Sequence, residues 1–352
     1  PPPEKSARTA ERLGLEVGYP DFAALLADPQ VEGVHITTPN KTHFEMSKAA
    51  LEAGKHVVCE KPLAMNAQES AALVQVARQH PQLISAVNYN IRFYPLLLHV
   101  RELIQNGALG ELYTIRGAYV QDWLLYDTDW NWRLLPEEGG ELRAVGDIGT
   151  HWMDLMAFLT GLRVDSLLAD LATFVPVHKK PRQAVATFQG KEQAAPTEFD
   201  PVEIATEDWG AVLFRYANGA RGSLAVSQVN AGRKNQLTFE IAGSRGAVAW
   251  NSERPNELWL GHRDQPNQLL IKDSALMSAP ARQHSDYPGG HTEGFPDTFK
   301  QLYRAIYGYL AAGDFSAPRP FPTFEDGHIE VLLCEAILQS HRERRWVELA
   351  RG

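Results

Sequence analysis

Three polar clusters stand where apolar runs stop, and each holds residue types suited to acid–base work or to ligand binding. They are Thr38-Pro39-Asn40 with His43 beyond, Glu60-Lys61-Pro62, and Asn88-Tyr89-Asn90. A lysine straight after a buried strand needs a partner or a function for its ammonium. Lys61 therefore reads either as half of a surface pair with Glu60 or as a cation facing a ligand. A fourth cluster, Gly146-Asp147-Ile148-Gly149-Thr150-His151-Trp152-Met153-Asp154, places Asp147 four residues before His151, on one face of a helix. A carboxylate beside an imidazole is a general-base arrangement, and Gly149 keeps that turn open to a ligand. Two structural alternatives remain: Asp147 capping the helix over a core His151, or a metal held by Asp147, His151 and Asp154. The second lacks support, because Asp154 is rotated off the shared face and the chain has no H-E-x-x-H or C-x-x-C pattern. No metal is expected.

The elements that must position these clusters can be read from periodicity and punctuation. Residues 4–14 read as a helix closed by Gly14, and Asp21 can cap a short helix before Pro29. Val34–Thr38 is a strand stopped by Pro39. A helix over 42–53 ends at Gly54, and a strand over 55–60 ends at Lys61-Pro62. Asn66 can cap a helix to about Gln79, and Leu83–Val87 is a further strand. Helices alternating with short β-branched strands predict βαβ units and a parallel sheet, with ligands gathered at the carboxyl ends of the strands. After Asn90 the pattern changes to a helix at 94–106, a strand at 112–121, an aromatic loop, a helix from about Asp147 to Leu159, and hairpin-linked strands between 164 and 261. Asn218-Gly219 is a hairpin signal. Residues 176–201, rich in Pro, Lys and Gln, read as a long surface loop, and helices at about 295–312 and 324–342 close the chain. The predicted fold class is thus α/β, a Rossmann-type parallel sheet followed by an α+β domain with a mostly antiparallel sheet.

Composition narrows the function. The 352 residues are 44% hydrophobic and 22% charged, ordinary values for a soluble globular protein of about two domains. A net charge of −9 and the absence of a basic–aromatic stripe argue against nucleic acid as a partner. No apolar run reaches the ~18 residues of a membrane span. Two cysteines, Cys59 and Cys334, are too few for a disulfide framework and favour a cytoplasmic setting, and no secretory leader is read at the start. Coiled coils, repeat proteins and small secreted scaffolds are excluded.

Taken in order, TTPNKTH, AGKHVVCEKPLA, VNYNIRF, GGELRAVGDIGTHWMDL and the late HTEGFPDTFKQLYRA and RERRWVEL segments resemble the glucose-fructose oxidoreductase / inositol dehydrogenase (Gfo/Idh/MocA) family over nearly the whole chain. The resemblance implies the remaining part of a Rossmann domain over 1–90, an α+β substrate and oligomerisation domain over 91–323, and a C-terminal helix and tail over 324–352. It implies NAD as cofactor, with NADP as the alternative, and hydride transfer from a secondary hydroxyl of a sugar, sugar derivative or cyclitol. The family lysine falls on Lys61, and its acid/base pair on Asp147 and His151. Thr38, Pro39, Asn40, His43, Glu60, Lys61 and Asn88 match positions that line the cofactor, and Trp132 and Arg133 are assigned to it as well. The family's G-x-G-x-x-G turn, which cradles the pyrophosphate, is not in this sequence. Against that pattern roughly 35 residues of the unit that carries it are missing, so the chain reads as an N-terminally incomplete member, the alternative being a natural member that lost its cofactor, and as it stands it reads as a poor dinucleotide binder.

The loop from Tyr119 to Arg133 mixes aromatic faces with Asp, Gln, Asn and Arg, the mixture that sugars favour. Asp122, Trp123, Trp132 and Arg133 are the substrate candidates there, beside Lys61, Asp147 and His151. The alternative for the tryptophans is a packed plug under the sheet. His291 falls where the family reaches its substrate from a late loop, or is an ordinary surface histidine. In the proposed chemistry His151 takes the hydroxyl proton while the Lys61 ammonium stabilises the alkoxide, and Asp147 orients them; which of the two formally accepts the proton stays open. An NAD-dependent glycosidase or epimerase-like enzyme and a non-catalytic sugar-sensing regulator are the competing functions. Net NADH formation separates the first, and the intact Lys61, Asp147 and His151 argue against the second. A homo-oligomer, dimer or tetramer, is the expected assembly.

Overall fold

Short helices and strands alternate at the start of the chain, and two of these helices begin at a side chain that satisfies open amides. The helix Phe22–Ala27 starts at Asp21, whose carboxylate accepts the Ala24 amide at 2.8 Å. Ala67–Gln79 starts at Asn66, whose side-chain oxygen accepts the Glu69 amide at 2.9 Å. His43–Glu52 runs out into Gly54, whose φ of +75° is a conformation glycine adopts freely. Between these helices lie β1 (Gly33–Ile36), β2 (His56–Cys59) and β3 (Ser85–Val87), a parallel sheet in that order. Ile36 pairs with Cys59, and Cys59 with Val87, so the three strands end level.

This computed structural model describes residues 3–182 and 198–349. The chain divides into two compact units. The first is Pro1–Asn88 with Ile306–His328, and the second is Tyr89–Ala305 with Ile329–Gly352.

The second unit contains β4 (Leu112–Val120), β5 (Val164–Ala172), β6 (Val177–Pro181), β7 (Phe199–Glu203), β8 (Trp209–Tyr216), β9 (Arg221–Ser227), β10 (Gln236–Gly243), β11 (Ala247–Asn251), β12 (Glu257–Gly261), β13 (Gln268–Ile271) and β14 (Val347–Glu348). Nine of these form one sheet, ordered β13-β12-β11-β10-β4-β9-β8-β5-β14. Every pairing in it is antiparallel except β4 with β9. Asn218-Gly219 turns β8 into β9, with Gly219 at φ +90° and the Asn218 side chain accepting the Ala220 amide at 3.0 Å. Alternate residues of β8, including Val212, Phe214 and Tyr216, are buried in the main core. The fully buried Trp152 stacks on Phe214 and donates its indole N–H to the Thr238 carbonyl at 3.0 Å. Burying side chains of this size contributes about 1.5–3 kcal/mol each.

Two local expectations change. The segment 176–201 is not loop throughout, because β6 and β7 pair as an antiparallel ladder; residues 183–197 lie outside the described residues. Their sequences, VHKKP and FDPVE, hide the pairing because little but His178 is buried. Asp147 does not begin its helix either. Val145–Gly149 forms a π-turn leading into Thr150–Thr160, so Asp147 sits inside the helical run rather than capping it.

Candidate active site

In the first unit, the three strand ends carry the predicted polar clusters. Pro39 opens the short 3-10 turn Asn40–Thr42, in which Asn40 is buried. The Thr42 hydroxyl lies 2.6 Å from that of Thr38 and 2.9 Å from the Pro39 carbonyl. His43 is fully buried, with Nδ1 2.7 Å from the Pro62 carbonyl and Nε2 2.9 Å from the Thr38 carbonyl. Burial outweighs those carbonyls and holds its pKa below the ordinary imidazole value, so the neutral ring has one N–H to give. It ties the turn after β1 to the turn after β2. Lys61 precedes Pro62 through a cis peptide bond. Glu60 accepts the Asn88 side-chain amide at 2.5 Å, and the Asn88 backbone amide donates to the Cys59 carbonyl at 2.8 Å.

These ends fit a bound dinucleotide. Asn88 is buried, and its Oδ1 has no hydrogen-bond partner among the described residues. Buried amide oxygens are normally paired, so an orphaned acceptor at the carboxyl end of a parallel sheet suits a polar ligand. Thr38, Asn40, Glu60 and Lys61 surround the same edge with hydroxyl, amide, carboxylate and ammonium groups.

In the second unit, Asp147 is held at both carboxylate oxygens. Arg133 Nε lies 3.2 Å from Oδ1, and Gln228 Nε2 donates to Oδ2 at 3.0 Å. Arg133 is fixed in turn by its own short 3-10 turn. Its backbone amide donates to Asn131 Oδ1 at 3.1 Å, and its guanidinium lies over the Trp132 ring, 4.4 Å from the centroid. His151, one turn after Asp147, is 8% exposed. Its ring meets Tyr89 edge-on at 5.6 Å and Tyr119 at 6.3 Å. Burial, and then the Asp147 charge, raise the Tyr119 pKa, which keeps the phenol neutral; its hydroxyl donates to Asn235 Oδ1 at 2.8 Å.

Other predicted residues have structural partners. Asp154 forms a buried two-pronged pair with Arg92, with Nε donating to Oδ2 at 2.8 Å and Nη2 to Oδ1, so it does not join Asp147 and His151 in a cluster. Among the described residues, no group of three His, Cys, Asp or Glu side chains is arranged to hold a metal ion. Asp122 accepts Lys234 Nζ at 2.6 Å and the Gly232 amide at 3.1 Å, fastening the turn before β10. Trp123 packs on a small cluster of Leu124, Leu134 and Ile204, and its indole donates to Gln121. His291 is exposed. It stands on a loop anchored by the buried Lys272–Glu293 pair at 2.5 Å.

Gln228 escaped sequence reasoning because nothing local marks it. It follows β9, far from Asp147 in sequence, and only the strand order brings the two together. Glu207 and Asp208 escaped too, although adjacent acids directly before an apolar strand do call for buried donors.

Fold and site define an NAD-binding oxidoreductase with a second α+β domain. Residues 1–89 match the model described as "Oxidoreductase family, NAD-binding Rossmann fold", and residues 97–249 match the GFO/IDH/MocA C-terminal domain. The chain belongs to the GFO/IDH/MocA family and is an NAD-dependent oxidoreductase. It is 32% identical to levoglucosan dehydrogenase from Pseudarthrobacter phenanthrenivorans, covering 99% of this chain and 87% of that protein. Among solved structures, it resembles levoglucosan dehydrogenase in complex with NADH and L-sorbose (TM-score 0.86, 29% identity, 99% of this chain and 88% of that one). It also resembles an inositol dehydrogenase homolog from Azotobacter vinelandii complexed with NADH and myo-inositol (TM-score 0.85, 26% identity, 99% and 88%).

Proposed function

We propose that the protein oxidises a secondary hydroxyl of a sugar, sugar derivative or cyclitol, with NAD as the electron acceptor. The observation that carries this reading is the anchored Asp147: a carboxylate gripped at both oxygens, one turn from a mostly buried imidazole. The relatives named above act on or bind levoglucosan, L-sorbose and myo-inositol, all polyhydroxylated carbon skeletons, which supports that substrate class.

Bound NAD supplies the acceptor for the hydride. The work of the protein is to make the hydroxyl a donor. His151, an imidazole one turn from Asp147, accepts the hydroxyl proton as general base. Lys61 supplies an ammonium to the developing alkoxide, a charge that exists only as the reaction proceeds. Asp147, itself immobilised, orients these groups and stabilises the cation that forms on protonation. Arg133 and Trp132 contribute a fixed cation and an aromatic face for a sugar ring or the cofactor. Thr38, Asn40, Glu60 and Asn88 hold the cofactor, and His43 fixes the turns that carry them. Asp122, Trp123 and His291 remain proposed substrate residues.

Two coarser readings go with it. The outer face of the nine-stranded sheet exposes Leu213 (47%), Leu269 (57%) and Ile271 (47%), beside a groove of about 800 Å³ lined by Arg116, Ser223, Thr238, Glu240 and Trp259. A second copy of the chain on this face accounts for the uncovered apolar surface. A cytoplasmic setting suits a chain whose two cysteines, Cys59 and Cys334, are both free thiols.

The test is a screen of sugars and cyclitols with NAD and with NADP, following absorbance of the reduced nicotinamide. Net accumulation of NADH with one class of polyol supports the reading. Product release without net NADH would move the assignment to a transiently oxidising glycosidase or epimerase.

A further inference from the structure

The turn that carries Asp147 is capped from a distant strand. Glu207, directly before β8, accepts the Arg143 amide at 3.0 and 2.9 Å on its two carboxylate oxygens and the Val145 amide at 2.8 Å. The Ala144 amide lies 3.3 Å from the Glu207 carbonyl, so three successive amides of the turn lean on one residue. The Asp147 amide then donates to the Arg143 carbonyl at 2.7 Å. The chain from Arg143 to Asp147 is thereby clamped at its start and passed on to His151 through the π-turn Val145–Gly149. Such turns are rare and are kept where the surroundings fix them, frequently at functional sites.

Glu207 itself is 4% exposed, and its neighbours are charged. Asp208, fully buried, accepts the Phe174 and Val175 amides at 2.8–3.0 Å. The Arg143 guanidinium, 1% exposed, reaches 3.7 Å from Asp208 and 3.5 Å from the Thr206 carbonyl. Asp147 acts electrostatically on Arg143, and the buried His178 feels Arg143, Asp129 and Asp208. One cation thus sits among several carboxylates, and one of these carboxylates holds the backbone of the site.

We propose that Glu207 is a positioning residue for the oxidation: as a carboxylate it holds the turn that presents Asp147 and His151, and on protonation it loosens that turn. This rests on the assignment of proton transfer to His151. A carboxylate has acceptor sites on both oxygens for these amides, whereas the acid turns one of them into a donor facing other donors. Burial pushes the Glu207 pKa up to about 7, against the pull of the amides and Arg143, so the change falls within the working range.

The experiment compares the wild type with Glu207→Gln in the full-length protein. Glutamine keeps the size but has one acceptor oxygen and no charge. The expected result is a kcat about tenfold lower, the cost of one weakened charge-assisted hydrogen bond. KM for the alcohol and affinity for NAD stay within about threefold by the same scale, and one of two ionisations disappears from the acid limb of the kcat profile. A Glu207→Gln enzyme with the wild-type profile overturns the proposal. The second measurement needs no substrate: NMR titration of the His151 ring in both proteins. A displaced midpoint or ring shift in the variant is expected, and an identical titration overturns the proposal even if no oxidised alcohol is found. Absence of NADH formation by the wild type would count against the activity, and the ring titration would still judge the role of Glu207.

Discussion

Asp147 is immobilised by two donors of different kinds, and they contribute differently. Arg133 adds a positive charge, which offsets the carboxylate beside a histidine that must become cationic. Gln228 adds a neutral, buried amide, so its contribution is placement. Gln228→Leu keeps the volume and removes the donor. A hydrogen bond to a charged group is worth about 1.5–3 kcal/mol, which predicts at least a tenfold fall in kcat. Affinity for NAD, titrated by fluorescence, should not move; an unchanged kcat would show that Asp147 needs only Arg133. Asp154 makes the contrasting case at the same scale. Its pair with Arg92 is buried, with side chains 3% and 9% exposed, and Asp154→Ala strands a guanidinium. The expected loss is about 3–5 kcal/mol in urea unfolding. A loss below about 1 kcal/mol, the surface-pair range, would show the pair to be dispensable.

At the scale of elements, close packing decides what can change. Gly117 on β4 lies where an added Cβ would run into the Thr238 carbonyl and the Trp152 indole nitrogen, the two groups that hydrogen-bond each other. Gly117→Ala must therefore separate β4 from β10 or break that bond, and should lower the melting temperature by several degrees. Glu207 gives a pH dependence with a definite sign. Its pKa is raised from 4.5 to about 7, so the folded state binds the extra proton between those values. The associated stability is fully present below pH 4.5 and is lost as pH rises to about 7. Over that window the wild type should lose about 3 kcal/mol relative to Glu207→Gln in urea titrations. Parallel curves for the two proteins would contradict the assignment. The elements legible in the sequence are those closed by local chemistry: the Asp21 and Asn66 caps, Gly54 after its helix, the Asn218-Gly219 turn. The one-turn spacing of Asp147 and His151 on a helical run is legible for the same reason, since it is local. What stayed hidden depends on distant pairing. Neither the parallel contact of β4 with β9 nor the grip of Gln228 on Asp147 has any trace within a short window of residues, and the adjacent acids Glu207 and Asp208 show only that buried donors are needed, not which amides supply them.

For the molecule as a whole, the nine-stranded sheet is covered on one face by the core, while its other face leaves Leu213, Leu269 and Ile271 uncovered. Light scattering should show a homo-oligomer, and Leu213→Glu with Leu269→Glu should shift it to smaller species with the same circular dichroism. A wild-type monomer at micromolar concentration would show that no second copy covers this face. No helix among the described residues is long and apolar enough to cross a membrane. On the proposed function, an imidazole on the Asp147 turn takes the proton from a sugar or cyclitol hydroxyl as NAD is reduced. This is measured by turnover of the full-length protein and of His151→Ala on the best polyol, with the NADH dissociation constant determined alongside. The expected result is a fall in kcat of about 10²–10⁴, the usual share of a general base, with NADH binding unchanged. Equal turnover by the two proteins would contradict it.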